Sequence, residues 1–261
     1  MKTIRLAASG ALLALAALHA AAAPSASSAT GISNIAVGVI DLTPSDGVAA
    51  WYQGRFKYSL ASAAVQSGSF SQSRWEDFTD PAETNAAVSL GASSAAAHGG
   101  VLGDFTAQAV ISGDLKPDAY TFASAYQQYV FTVGAHSMLT VSGLASAWTS
   151  RSADAGALFD VSGLVLAELS DGSLWSGYRL DSGFNGAGPA TGGSQQFWIA
   201  YANAGDTPMT VELHFSTDVN ARLVDRSVPT PVPEPSGYAM LAGGLLVIGC
   251  AGRRRQRHKR G

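Results

Sequence analysis

Cysteine is nearly absent from this chain: its 261 residues contain one, Cys250. A single thiol excludes a disulfide-stapled scaffold. Its place in a C-terminal apolar run also removes it as an extracytoplasmic cysteine nucleophile. Charge is scarce as well. Lys and Arg number 16 and Asp and Glu 19, together 13% of the chain, about half the usual share of a soluble domain. Glu and Lys are few and no heptad is sustained, so a coiled coil is excluded. No internal repeat of fixed period is found. What the chain does have is 29 glycines and a hydrophobic share of 47%. Aromatic and β-branched residues recur through its middle, which argues against disorder.

The few charges are segregated. Lys2 and Arg5 open the chain, and six Lys or Arg lie between Arg253 and Arg260. From Pro24 to Val232 only 8 basic residues face 18 acidic ones, a net of −10. An acidic middle without a basic patch excludes nucleic acid as the expected partner.

The start reads as an export address. After Lys2 and Arg5, the run from Leu6 to Ala23 is almost all Ala and Leu, broken by Ser9, Gly10 and His19. Such a segment enters the translocon as an apolar helix with its basic end held in the cytoplasm, and small residues then fit signal peptidase. Residues 1–23 are expected to be a signal peptide, cut so that the mature chain begins between Ala21 and Pro24.

The end has three consecutive parts. Val232-Pro-Glu-Pro235 is kept extended by its prolines. Residues 236–252, SGYAMLAGGLLVIGCAG, carry no charge. As a helix they reach about 25 Å, slightly short of the roughly 30 Å hydrocarbon core. Tyr238 suits one interface and the following cations the other. Arg253, Arg254, Arg255, Arg257, Lys259 and Arg260 then form a basic tail over 253–260. That tail holds its end in the cytoplasm and places residues 24–235 outside. Residues 225–231 read as a Pro-containing linker.

These residues resemble the PEP-CTERM sorting domain of Gram-negative bacteria: Pro-Glu-Pro, a short hydrophobic helix and an Arg-rich end. Pro233, Glu234 and Pro235 match the motif residue by residue, and the resemblance covers about the last 30 residues, 232–261. It implies that a membrane protease-transpeptidase, the exosortase, recognises the tripeptide and removes the helix. The catalytic residues belong to that partner, so none is carried over to this chain. The expected route leads through the inner membrane to a transiently anchored precursor, then to the cell surface or extracellular matrix.

Between the two addresses, residues 24–224 alternate with period two, the sign of half-buried strands. Met209, Val211, Leu213 and Phe215 share one face of a strand, with Glu212 and His214 on the other. Phe105, Ala107, Ala109 and Ile111 alternate likewise, as do Tyr129, Phe131 and Val133, then Leu139 and Val141, then Phe197, Ile199 and Tyr201. Tyr52, Phe56, Tyr58 and Leu60 are read as sharing a face. Ser170-Asp171-Gly172-Ser173 is a two-residue hairpin signal. Gly134-Ala135-His136 and Asn203-Ala-Gly-Asp206 separate further strands, with His136 in a hairpin turn. About nine strands are expected between Ile32 and Leu223, as one all-β domain: an antiparallel sandwich of jelly-roll type. Ser67–Asn85 reads as a loop, Ala92–Gly100 as a loop or short helix, and Asp181–Ser194 as a glycine-rich crossover.

Chemistry is sought and mostly not found. His98, His136 and His214 fall in no metal-ligand spacing, and no nucleophile elbow GxSxG is present. Glu76, Asp77, Asp80 and Glu83 read as a solvated loop, with calcium binding or a glycosidase carboxylate pair as alternatives of undiagnostic spacing. Asp114 and Asp118 form a second acidic pair. No catalytic, cofactor-binding or metal residue is assigned, and an enzyme is not expected. Trp51, Trp75, Trp148, Trp175 and Trp198 remain. Trp198 is out of phase with its apolar neighbours and Trp175 follows the hairpin turn, so these two are the candidates for stacking on a glycan. Two readings stay open: a non-enzymatic surface or matrix protein associated with exopolysaccharide, and a lectin-like carbohydrate-binding module delivered by the same route.

Overall fold

The computed structural model describes residues 23–100, 102, 104–152, 158–186 and 188–225. The expected signal peptide, apart from residue 23, lies outside the described residues, as do residues 226–231 of the expected linker and the expected sorting tail 232–261. Twelve strands follow one another: β1 (Ser25–Asp41), β2 (Tyr52–Ser67), β3 (Phe70–Phe78), β4 (Thr84–Leu90), β5 (Ser93–Gly99), β6 (Phe105–Ser112), β7 (Tyr120–Val133), β8 (Ser137–Arg151), β9 (Leu158–Ser170), β10 (Trp175–Gly186), β11 (Gly192–Asn203) and β12 (Met209–Asp225). They form two six-stranded sheets. Sheet I has the order β11-β8-β1-β6-β5-β4 and sheet II the order β10-β9-β12-β7-β2-β3. Every pairing is antiparallel.

The sheets face each other, with β10 and β11 at one edge and β3 and β4 at the other. Period-two burial places the core between them. On β12, Val211, Leu213 and Phe215 are fully buried, as expected, and Val219, Ala221 and Leu223 continue that face. Phe105 of β6 meets Phe215 of β12 across the core, ring centroids 5.5 Å apart. Much of the remaining core is alanine: Ala61, Ala63, Ala107, Ala109, Ala123, Ala125, Ala145, Ala147 and Ala167 are all buried.

Several expectations are corrected, the strand count first: twelve strands stand where about nine were expected. Ser67–Asn85 is not a loop. Gly68, at φ +60°, turns the chain into edge strand β3, and β4 begins at Thr84. Nearly all of β3 is exposed on both sides, so it shows no alternation to read. Ala92–Gly100 is strand β5, with Ser93, Ala95 and Ala97 buried; alanine on both of its faces conceals the period. β10 runs on to Gly186 and β11 starts at Gly192, which leaves a short crossover. Finally, Tyr52, Phe56, Tyr58 and Leu60 do not share a face. A register shift between Phe56 and Tyr58 marks a bulge, after which Ser59, Ala61, Ala63 and Val65 turn inward.

The hairpin at Ser170–Ser173 joins β9 to β10 as expected. Gly134–His136 and Asn203–Asp206 do separate strands, but β7 and β8 lie in different sheets, as do β11 and β12. Those connections are arches, so His136 is not in a hairpin turn. Asn203 ties both arches together, its amide nitrogen donating to Val133 O, Gly134 O and Thr207 O.

Charge divides between the sheets. The strands of sheet I contain two charged residues, Asp41 and Arg151, each the last of its strand. The strands of sheet II contain thirteen. The outer face of sheet I is therefore free of carboxylate and cation, whereas that of sheet II is ionic.

Candidate functional site

The outer face of sheet I carries two tryptophans. On β11, Phe197, Ile199 and Tyr201 point inward, so Trp198 points out and is 59% exposed. On β8, Leu139, Val141, Ala145 and Ala147 are buried, so Trp148 also points out, at 52% exposure. Trp198 is in register with Ser142, and Trp148 lies six positions further along β8 opposite Gly192. That spacing is about 20 Å along the strand. Gly192 carries no side chain, and the indole of Trp148 lies against it. The floor between the two rings consists of Ser142, Leu144 and Ser146 of β8 with Ser194 and Gln196 of β11.

Beside Trp198 the floor dips into a depression of about 210 Å³ lined by Asn34, Ser142, Gly143, Leu144, Gln196 and Phe197. Its cause is a bulge in β1: the register with β8 shifts between Ser33 and Ala36. There Asn34 takes φ +56°, a left-handed conformation that Asn tolerates better than most residues. Among the described residues, the side chains of Asn34, Ser142 and Gln196 have no hydrogen-bond partner. Under the floor, Gly143 makes room for the Phe197 ring, which stacks on Tyr178 of β10 with centroids 5.1 Å apart. A second depression of about 220 Å³ lies on the same face across β4, β5 and β6. His98 stands in it, its Nδ1 2.8 Å from Asn85 Oδ1.

Trp175 is exposed too, at 71%, but on the other side of the molecule. It shares its phase with Gly177 and Arg179 on the outer face of sheet II, opposite to Tyr178, which packs inward on Phe197. The structure does not bring Trp175 and Trp198 together. Trp198 pairs instead with Trp148, which sequence reasoning had left among the unassigned tryptophans. The signal was present in the apolar alternation of Leu139 and Val141, which, carried on through Ala145 and Ala147, leaves Trp148 outside.

The titratable groups are dispersed. On the outer face of sheet II, Tyr126 Oη lies 2.7 Å from His214 Nδ1, and His214 Nε2 lies 3.3 Å from Glu212 Oε2. This resembles a relay from carboxylate to hydroxyl, yet burial raises the Tyr126 hydroxyl pKa, helped by the nearby Glu212 and Glu168 charges. Lys57 donates to Glu212 Oε1 at 2.7 Å and holds that carboxyl below its ordinary range, while Gln128 donates to Oε2. The arrangement keeps the Tyr126 phenol protonated and the Glu212 carboxylate ionised in an ion pair with Lys57, so the hydroxyl is not activated as a nucleophile. His136 Nε2 sits 3.0 Å from Asp206 between the two arches. Glu76 and Asp77 are neighbours on strand β3 and therefore point to opposite sides; Glu76 accepts from Asn85 N at 2.7 Å. Among the described residues no three of His, Cys, Asp and Glu gather as metal ligands, and no helix is long and apolar enough to cross a membrane.

A scan against protein-family models finds no match for this chain, and searches of curated proteins and of solved structures find none either.

Proposed function

We propose that this protein is an exported, non-enzymatic surface or extracellular-matrix component, tethered by its C-terminal helix and processed by an exosortase-type membrane protease. The observation that carries the reading is the three-part order of residues 232–261. Pro233-Glu234-Pro235 offers a protease an extended strand just where the apolar segment begins. That segment is a weak helix former for a permanent span: Gly237, Gly243, Gly244, Gly249 and Gly252 lie within it. The six cations behind it resist transfer through the bilayer. The expected helices of residues 1–23 and 236–252 belong to this reading. So does jelly-roll winding, supported by the nested pairs β1 with β8 and β2 with β7.

Glu234→Ala is expected to leave uncleaved protein in the membrane fraction, and deletion of residues 236–261 to yield soluble protein that bypasses the step. Release of the Glu234→Ala protein at wild-type mass, read by mass spectrometry, would refute the processing reading. The second reading, a carbohydrate-binding module delivered by the same route, draws its support from the exposed indoles on a face without charge.

A further inference from the structure

We infer that the strip of sheet I between Trp148 and Trp198 binds a neutral polysaccharide chain. The inference rests on the reading of the protein as extracellular, and it gives that protein a ligand class and a site. Three observations point the same way. First, Trp198 and Trp148 present exposed rings about 20 Å apart along β8, and an indole face is an apolar platform for the C–H faces of a pyranose. Second, a depression beside Trp198 holds the amides of Asn34 and Gln196 and the hydroxyl of Ser142. Among the described residues none of the three side chains has a hydrogen-bond partner, and each can exchange hydrogen bonds with sugar hydroxyls. A few polar groups converging beside an apolar surface is the usual make-up of a small-molecule subsite.

Third, the face is electrically blank. The six strands of sheet I carry charge only at the terminal Asp41 and Arg151. A protein surface rich in Lys and Asp, or an anionic polymer, would have to shed water from its charges without gaining a counter-charge. A neutral polymer meets no such cost, since it offers hydroxyls to the amides and C–H patches to the rings. The bulge that turns Asn34 to φ +56° fits this use, because a bulge re-aims a side chain at a chosen point on an otherwise regular sheet.

The test is affinity electrophoresis of the full chain in a mild non-ionic detergent, in native gels cast with hydroxyethylcellulose, dextran or polygalacturonate. At least one neutral polymer should retard the protein, with no loss on raising salt, and polygalacturonate should not retard it more. Trp198→Ala should weaken binding about tenfold or more, and Trp198→Phe should retain most of it. Gln196→Ala should weaken it several-fold with unchanged thermal unfolding, and so should Asn34→Gly, which the left-handed backbone at that position accepts. Trp175→Ala, on the opposite face, should bind as wild type. The inference is overturned if neither neutral polymer retards the chain, if polygalacturonate is preferred, or if Trp175→Ala weakens binding as much as Trp198→Ala. It is also overturned if light scattering shows a dimer that Trp198→Ala dissociates, since a second copy would then cover the strip. Processing is scored separately by intact mass. Trp198→Ala should be exported and cleaved normally even if glycan binding fails, and Glu234→Ala should bind glycan normally even if cleavage fails.

Discussion

Gln127 is fully buried, and its hydrogen bonds explain why the sandwich tolerates it. Its amide nitrogen donates to Gly100 O at 2.7 Å, and its carbonyl accepts from Tyr129 Oη at 2.6 Å. Tyr129 Oη in turn accepts from Leu102 N at 2.8 Å. Through these two side chains β7 holds the connection between β5 and β6. Tyr129→Phe keeps the ring in its edge contact with Phe56 but leaves the Gln127 carbonyl and the Leu102 N–H without a partner. Urea unfolding should show a loss of about 1–3 kcal/mol. Burial also pushes the Tyr129 hydroxyl up to about 12. A pKa raised above the unfolded value of about 10 favours the protonated phenol in the native state. That stability is fully present below pH 10 and fades as pH climbs through 12. The gap between wild type and Tyr129→Phe should accordingly narrow over that alkaline window. None of this could be read from the sequence, where Gln127 stands in an inward position that hydropathy alone assigns to the surface.

At the scale of elements, legibility follows contrast between the two faces of a strand. β12 was readable because Val211, Leu213 and Phe215 alternate with Glu212 and His214. β5 was not, because Ala95 and Ala97 inside face Ala96 outside, and β3 was not, because an exposed edge has no inside. The bulge at Phe56–Tyr58 is invisible too, since nothing in its residue types announces an extra position. The turn between β9 and β10 was legible down to its chemistry. Gly172 takes φ +90°, a conformation glycine adopts freely. Asp171 Oδ1 accepts from Ser173 N, Ser173 Oγ and Leu174 N at 2.8–2.9 Å. Those bonds, the one from Leu174 foremost, hold its carboxyl well below the usual carboxylate range. A depressed pKa contributes stability that is present above the unfolded value of about 4 and lost as pH falls through the folded one. Asp171→Ala should therefore lower the melting temperature at neutral pH, and the difference from wild type should shrink steadily below about pH 4. A difference that persists unchanged into strong acid would show that the carboxylate is not what closes the turn.

At the scale of the whole molecule, the first and last described strands occupy the middle of the two sheets. β1 lies between β8 and β6 in sheet I, and β12 lies between β9 and β7 in sheet II. Ala26 pairs with Ile111 on one side and with Arg151 on the other, so β1 waits for strands made far later in the chain. Loop closure of that length must be completed before the pairings repay it, which makes folding slow and late. The two-layer class was legible from period and turns, but this central placement was not, because pairing order leaves no mark on hydropathy. Sheet I has all its strands once β11 is made, but sheet II is not joined until β12 bridges β9 and β7, so until then the inner face of sheet I lacks the middle of its partner. Deleting residues 209–225 should thus abolish the fold outright, because it removes Val211, Leu213, Phe215, Val219, Ala221 and Leu223 from the core and strips β9 and β7 of a shared neighbour. Deleting the edge strand β3 takes no fully buried side chain and should leave a folded protein of reduced stability. Limited proteolysis of the two deletions separates the cases: a resistant core is expected without β3 and none without β12. A protease-resistant sandwich in the chain lacking β12 would mean that one sheet folds independently of the other.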